Sequence, residues 1–280
     1  YYEKQNTVLE KQNVVMQKFV KSANLKFQTG ETNALEKTIA LAKQQELEQK
    51  IKQNKTQIAI EKSKLKVILD LKTDFIAIDT SFVPYPAMAK VDSSMVKQNP
   101  IVQLANQQVQ IAQANHKVEK SALYPDFSVG YFLQSITGNQ DVNGTPTYYN
   151  NSPQFQGFSV GIAVPLFAGS NIAKAKAAKT NIEREQKNAD YITQQFKSHL
   201  EQQSEQLVTY SSLIDYYKNT AMPNANLIIK NATKGYQNGD ISYVEYVQSI
   251  ETASQIQLNY NEAIYNYNQT IITIQYSINQ

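Results

Sequence analysis

The sequence predicts a mainly α-helical protein with a single β-hairpin, in which long antiparallel coiled-coil helical hairpins flank two strands. Three observations predict it. Apolar residues recur at helical and heptad spacing over most of the 280 positions. One stretch near the middle switches to period-two alternation. Gly (9) and Pro (8) are scarce, so turns are few and the elements between them must be long. A chain that is 41% hydrophobic, with long polar faces, suits narrow apolar stripes better than a thick round core.

The elements follow in order. Residues 1–27 read as helix, with Val8, Leu9, Val15, Met16, Phe19 and Val20 at helical spacing among Lys and Gln. A break at Gln28-Thr29-Gly30 precedes a second helix over 32–71, where Ile51, Ile58 and Leu65 recur every seven residues beside Leu47 and Ile68 as a coiled-coil seam. Residues 72–99 break the pattern with Pro84 and Pro86, and Phe75-Ile76-Ala77-Ile78 reads as a short strand. Pro100 fits the first turn of a helix ending near 121. Phe127, Val129, Tyr131 and Leu133 then alternate with smaller or polar residues, as do Phe158, Val160, Ile162 and Val164, around a polar loop at 135–154. Strands of about 9–12 residues have the length to cross a bilayer at a tilt; a hairpin packed on a soluble core fits the alternation at least as well. After Gly169-Ser170 two heptad rows, one through Ala175, Ile182 and Ala189 and one through Leu200, Leu207 and Ile214, predict a helix to about 236 with a kink at Pro223. At 1.5 Å per residue it is roughly 100 Å long. A last helix runs from about 242 to 277.

Composition narrows the function. Net charge is +3 and the basic residues are interleaved with Glu and Gln, which argues against a nucleic-acid surface. Cysteine is absent, excluding disulfides, thiol catalysis and Cys-zinc sites. No run of about 18 apolar residues marks a transmembrane helix. The chain starts Tyr1-Tyr2-Glu3-Lys4 already in helical pattern, with no Met and no signal peptide, which predicts that the natural protein begins further upstream.

The two helix breaks are alike. Phe27-Gln28-Thr29-Gly30-Glu31-Thr32-Asn33-Ala34-Leu35-Glu36 aligns without gaps on Tyr236-Gln237-Asn238-Gly239-Asp240-Ile241-Ser242-Tyr243-Val244-Glu245, at an offset of 209. A Gly between two long helices permits the left-handed backbone of a tight reversal. Each break is therefore expected to be the tip of a helical hairpin, and the pair implies a duplication. Only the second unit is complete; by symmetry, roughly 40 residues of helix, a strand pair and a leading helix are expected before residue 1.

At this point the sequence resembles the TolC-like outer-membrane efflux family. Leu123-Tyr124-Pro125-Asp126-Phe127 leading into the first strand, Val164-Pro165-Leu166-Phe167-Ala168-Gly169 opening the long helix, and the two Gly tips carry the likeness, and their order matches along essentially the whole chain. Thr29 to Glu36 is also similar to versions paired with, or fused to, heavy-metal resistance pumps. The resemblance implies a homotrimer in the outer membrane of a Gram-negative bacterium, most of it in the periplasm, each protomer giving four strands to a twelve-stranded barrel and long helices to a periplasmic tunnel. It implies a periplasmic adaptor protein and an inner-membrane pump of the RND type as partners, with outer-membrane lipid around the barrel. The segments are then a first tunnel hairpin, N-terminally truncated (1–71), an equatorial connection (72–99), a helix leading to the barrel (100–121), the barrel hairpin (122–168) and a second tunnel hairpin (169–280).

The resemblance also places candidate residues. Acidic groups ring the family's pore aperture; Glu36 and Glu245 match such positions, six residues after Gly30 and Gly239. A second acidic position is Gln248 here, so a strongly charged, cation-selecting ring is in doubt. Ordinary helix N-terminal carboxylates account for Glu36 and Glu245 equally well; the repeat favours the aperture. Thr29, Gly30, Glu31 and Thr32, with Asn238, Gly239, Asp240 and Ile241, are the candidate adaptor contacts, or plain turns whose Gly serves geometry alone. Tyr124, Tyr131, Tyr148 and Tyr149 suit membrane interfaces, and Tyr260, Tyr265 and Tyr267 suit helix packing. His116 with Glu119 one turn on is no ligand set, and His199 has only Gln195 and Gln203 beside it, so neither a metal nor a cofactor is expected. No catalytic motif stands out. The leading reading is a passive channel of an export pump and not an enzyme. A periplasmic adaptor, or a structural coiled coil without channel activity, stands as the alternative.

Overall fold

The computed structural model describes residues 1–75, 81–86 and 93–278. Helix α1 spans Tyr2–Gln28 and α2 spans Ala34–Ile68. They lie antiparallel: Leu9, Met16, Phe19 and Ala23 of α1 meet Ala40, Leu47 and Ile51 of α2 in one buried cluster. Rim pairs hold the same register, Lys55–Glu10 at 2.9 Å and Lys62–Glu3 at 3.4 Å, and Asn54 Nδ2 donates to the Tyr2 carbonyl at 2.8 Å. Of the expected seam, Leu47 and Ile51 are buried, and Leu65 and Ile68, 41% and 77% exposed, lie beyond the Lys62–Glu3 pair. The helix also stops at Ile68, not 71. Of the expected strand at 75–78, residues 76–78 lie outside the described residues.

The long C-terminal helix of the sequence reading is three pieces: α4 (Gly169–Tyr216), a π-helical turn (Tyr217–Ala221) and α5 (Met222–Asn238). Pro223 is the cause. It offers no N–H to the ladder, and its ring crowds the carbonyl of Asn219 four residues earlier; the wide turn just ahead of it accommodates both. Helix α6 spans Tyr243–Ser277 and buries Ala263, Ile264, Tyr267 and Ile271 against Ile214 of α4, with Phe82, Tyr217 and Tyr260 packed around them. Asn268 fastens the segment around Pro84 to α6: its Nδ2 donates to the Val83 carbonyl at 3.0 Å, and its Oδ1 accepts from the Tyr85 N–H at 2.8 Å. Tyr1–Met95 and Lys197–Gln280 form one unit and Val96–Phe196 the other.

In the second unit, α3 (Pro100–Ser121) starts at Asn99, whose side chain accepts from the Ile101 N–H at 2.9 Å, and its Ala105 and Val109 pack on Ala189 of α4. Strands β1 (Asp126–Val142) and β2 (Thr145–Ala163) form a two-stranded antiparallel ribbon. They are 17 and 19 residues long, and most of the segment expected to be a loop at 135–154 is paired strand. The reversal is the two-residue turn Asn143-Gly144, with φ of +51° and +81°, as a type I′ hairpin requires. An irregularity between Ser135 and Thr137 shifts the register once.

Pairing sorts the ribbon's faces. Phe127 lies opposite Ile162, Val129 opposite Val160 and Tyr131 opposite Phe158, so these six share one face, with the last two rings 5.2 Å apart. The other face carries Ser128 against Gly161, Gly130 against Ser159 and Phe132 over Gly157. A Cβ on Gly157 would sit 2.8 Å from the Phe132 ring, so only Gly admits that ring. Beyond Gln134 the ribbon turns polar, with Thr137, Asn139 and Gln140 opposite Asn150, Tyr148 and Thr147.

Candidate functional site at the helical tips

The aligned breaks fold into the same turn. At the first, Gly30 has φ +78°, its N–H donates to the Phe27 carbonyl at 3.2 Å, and the Glu31 N–H donates to the Lys26 carbonyl at 2.8 Å. At the second, Gly239 has φ +81°, its N–H donates to the Tyr236 carbonyl at 3.2 Å, and the Asp240 N–H donates to the Gly235 carbonyl at 2.8 Å. These are the 6→1 and short-range bonds of a Schellman-type stop, which satisfies the last helical carbonyls. The next helix then starts on a side-chain cap: Asn33 Oδ1 accepts from the Glu36 N–H at 3.0 Å, and Ser242 Oγ from the Glu245 N–H at 3.2 Å.

The two carboxylates differ. Glu245 accepts from the Ser242 N–H at 2.7 Å, closing a full capping box. That backbone N–H, first, and the Ser242 side chain, second, hold the Glu245 carboxyl below the usual carboxylate range. Glu36 makes no such return bond; it accepts from the Thr32 hydroxyl. Thr29 turns inward, its hydroxyl shared between the Leu25 and Lys26 carbonyls at 3.2 and 3.1 Å. Glu31, Asn238, Gly239 and Asp240 are exposed, and Thr32 and Ile241 half-buried. Locally, Glu245 closes the cap at the start of α6 and Glu36 occupies the matching position at the start of α2.

Each tip is closed by a pair ten residues apart, again at the common offset. Lys37 Nζ stands 4.9 Å over the Phe27 ring at the first, and Tyr246 stacks on Tyr236 with centroids 4.9 Å apart at the second. The second tip has more. Tyr243, 6% exposed, stacks on Phe19 of α1 at 3.8 Å and meets Tyr236 edge-on at 5.1 Å. Its hydroxyl donates to the Val15 carbonyl at 3.5 Å. Burial, the first cause, pushes the Tyr243 phenol pKa well up. Lys43 adds a bridge from α2 to Glu251 of α6 at 2.7 Å. This anchor of α6 on α1 is absent from the sequence reading; the spacing of Tyr236, Tyr243 and Tyr246 around the Gly signals their contacts with one another, not the contact with Phe19.

Glu36 and Gln248 come together on a groove of about 340 Å³ floored by Phe19, Leu35, Ile39, Val244 and Val247. Glu245 is not in its lining. Leu35 and Val244, aligned in the repeat, are 65% and 54% exposed, so each tip shows an apolar side chain beside its carboxylate.

The model of the outer membrane efflux protein family matches residues 93–280. No curated protein sequence matches the chain. Among solved structures, the chain is similar to CusC, which undergoes folding and transmembrane channel formation (18% identity, TM-score 0.80, 99% of this chain and 66% of that one). It is also similar to the CmeC outer membrane channel of Campylobacter jejuni (14%, 0.82, 99% and 59%) and to a membrane protein from Pseudomonas aeruginosa (12%, 0.85, 99% and 64%). The likeness shows that the fold is TolC-like, and the chain spans less than two thirds of the length of these structures.

Proposed function

This chain belongs to the outer membrane efflux protein family, and from that membership we propose that it is part of the channel component of a tripartite efflux system, passively conducting what an inner-membrane pump expels. The observation that carries the reading is the two-faced ribbon. One face holds Phe127, Val129, Tyr131 and Leu133 with Phe158, Val160, Ile162 and Val164, all more than half exposed, and Gln156, which accepts from the Tyr131 hydroxyl, at its outer edge beside Leu133; it suits lipid. The other holds Ser, Gly and Gln, with Phe132 and Phe155 among them, and suits a lumen. From Val164 to Leu133 the apolar band covers about eight residue steps, roughly 27 Å along the strands and about 20 Å of depth at a barrel tilt. The polar outer half of the hairpin extends past that band into water. A periplasmic adaptor or a plain coiled coil has no use for such a face.

In this reading the protein is a homotrimer in the outer membrane of a Gram-negative bacterium, with the helices in the periplasm. Glu36, Gln248 and Glu245 stand at the narrow end of the tunnel, with Glu36 and Gln248 on one wall. The exposed turns, Thr29 to Thr32 and Asn238 to Ile241, meet the adaptor, and an RND-type pump lies beyond it. The matched geometry of the two tips supports a docking ring with two related positions per protomer. The test is conductance of the purified full-length protein in planar bilayers, beside sensitivity to toxic compounds when its gene is deleted. Detergent-dependent trimers with stable conductance are expected; a monomer soluble without detergent refutes the reading.

A further inference from the structure

Below the apolar band the chain carries an excess of cations. Lys117 and Lys120 end α3, and Lys174, Lys176 and Lys179 lie in the first three turns of α4; all five are exposed. None of them forms an ion pair among the described residues, whereas Lys43, Lys50, Lys55 and Lys62 on α2 do. The carboxylates nearest in sequence are Glu119, half-buried, and Asp126 and Glu183, exposed. From Gly169 to Ile182 there is no carboxylate at all.

The helix dipole explains only part of this. Lys117 and Lys120 sit at a helix C-terminus, where cations are favoured. The lysines of α4 sit toward an N-terminus, where the dipole disfavours them, and they repel one another. The two helix ends are held together, since Asn171 Nδ2 donates to the Ala122 carbonyl at 2.9 Å. The collar thus lies directly under the band that starts at Phe127 and Val164. Leu166 and Phe167, 84% and 94% exposed, stand between band and collar, as apolar anchors do at a headgroup layer. Lysine stems of this length reach several ångströms toward such a layer.

We infer that Lys117, Lys120, Lys174, Lys176 and Lys179 form a docking collar for the phosphates of anionic phospholipid headgroups in the periplasmic leaflet. The inference rests on the membrane reading of the ribbon. Charge complementarity selects the occupant: the collar carries more cations than carboxylates and adjoins an apolar band, and an anionic lipid supplies both an acyl chain for the band and a phosphate for the collar.

The full-length protein reconstituted in phosphatidylcholine vesicles tests this. Electron paramagnetic resonance compares spin-labelled phosphatidylglycerol with spin-labelled phosphatidylcholine at the protein surface. Phosphatidylglycerol is expected to be preferred by about five-fold at low salt, with the preference falling toward parity in 0.5 M NaCl, where screening shortens to a few ångströms. Replacing all five residues by Gln removes the preference, and replacing them by Arg keeps it; the immobilised-lipid signal itself reports that each variant is inserted. Parity in the native protein, or an unchanged preference in the Gln variant, overturns the collar. Absence of any immobilised lipid for either label overturns the membrane reading as well, a distinct outcome.

Discussion

Tyr243 is the residue on which the second tip turns, and its removal has a calculable local effect. Its ring is buried between Phe19 of α1 and Tyr236 of α5, so Tyr243→Ala loses an aromatic side chain from a packed site, about 3–5 kcal/mol. The stack on Phe19 accounts for roughly 0.5–1.5 kcal/mol of that as pair-specific energy. The hydroxyl contributes little, since its bond to the Val15 carbonyl is long at 3.5 Å, and Tyr243→Phe costs about 1 kcal/mol or less. Long helical arrays do not unfold in one step, so the assay is hydrogen exchange on peptides covering Val15–Ala23 and Tyr243–Ile250. Tyr243→Ala lowers protection by about a hundred-fold or more in both peptides; Tyr243→Phe lowers it less than ten-fold. A double-mutant cycle with Phe19→Leu gives the pair term. If Tyr243→Ala frays only the start of α6 and leaves α1 protected, the ring does not couple the two helices and the reasoning fails.

Gly30→Ala and Gly239→Ala each cost about 1–2 kcal/mol of tip stability from the left-handed backbone alone, because an added Cβ meets nothing within 4 Å at either site; exchange rates at the two tips measure whether the costs match. The Glu245 carboxyl is held below its ordinary value in the folded state, so its contribution is present above the unfolded carboxylate pKa of about 4.3 and is lost as pH falls through the lower folded value. The melting temperatures of the native protein and Glu245→Gln therefore differ near neutrality and converge in acid. On the ribbon, Val129→Arg costs about 2–4 kcal/mol of insertion stability while Ser128→Arg, on the opposite face, costs far less; refolding yields into lipid vesicles distinguish them. Lys43→Ala loses a half-exposed ion pair worth about 0.2–1 kcal/mol, and the difference in melting temperature shrinks in high salt.

Helices and tips were legible in the sequence because their signals are local: heptad spacing for the first, a Gly followed by a cap residue for the second. The outer half of the ribbon was not. Its Asn, Gly and Thr content mimics a loop, and only Asn143-Gly144, a two-residue hairpin signal, announces that the strands continue. At the tips, Ser242-Tyr243-Val244-Glu245 spells a capping box, so the local duty of Glu245 was readable beside the duty suggested by resemblance. The contact of Tyr243 with α1 was beyond local reading, as it joins positions 228 residues apart.

The matched turns have a consequence for how such a chain diverges. Each closes itself with its own backbone bonds, one glycine, one cap and one pair ten residues apart, and the second rests besides on Tyr243, stacked on Phe19 of α1. Residues 27–37 are in that sense a self-contained cassette, and residues 236–246 are one apart from Tyr243, whose aligned position in the first copy is Ala34. Outside those residues the side chains of either copy are free to differ, and even the closing pair does: a cation over a ring at the first tip, two stacked rings at the second. An engineer can use the same freedom: the exposed turn residues can be replaced to change what one tip displays, provided that at the second tip Tyr243 keeps its seat on Phe19.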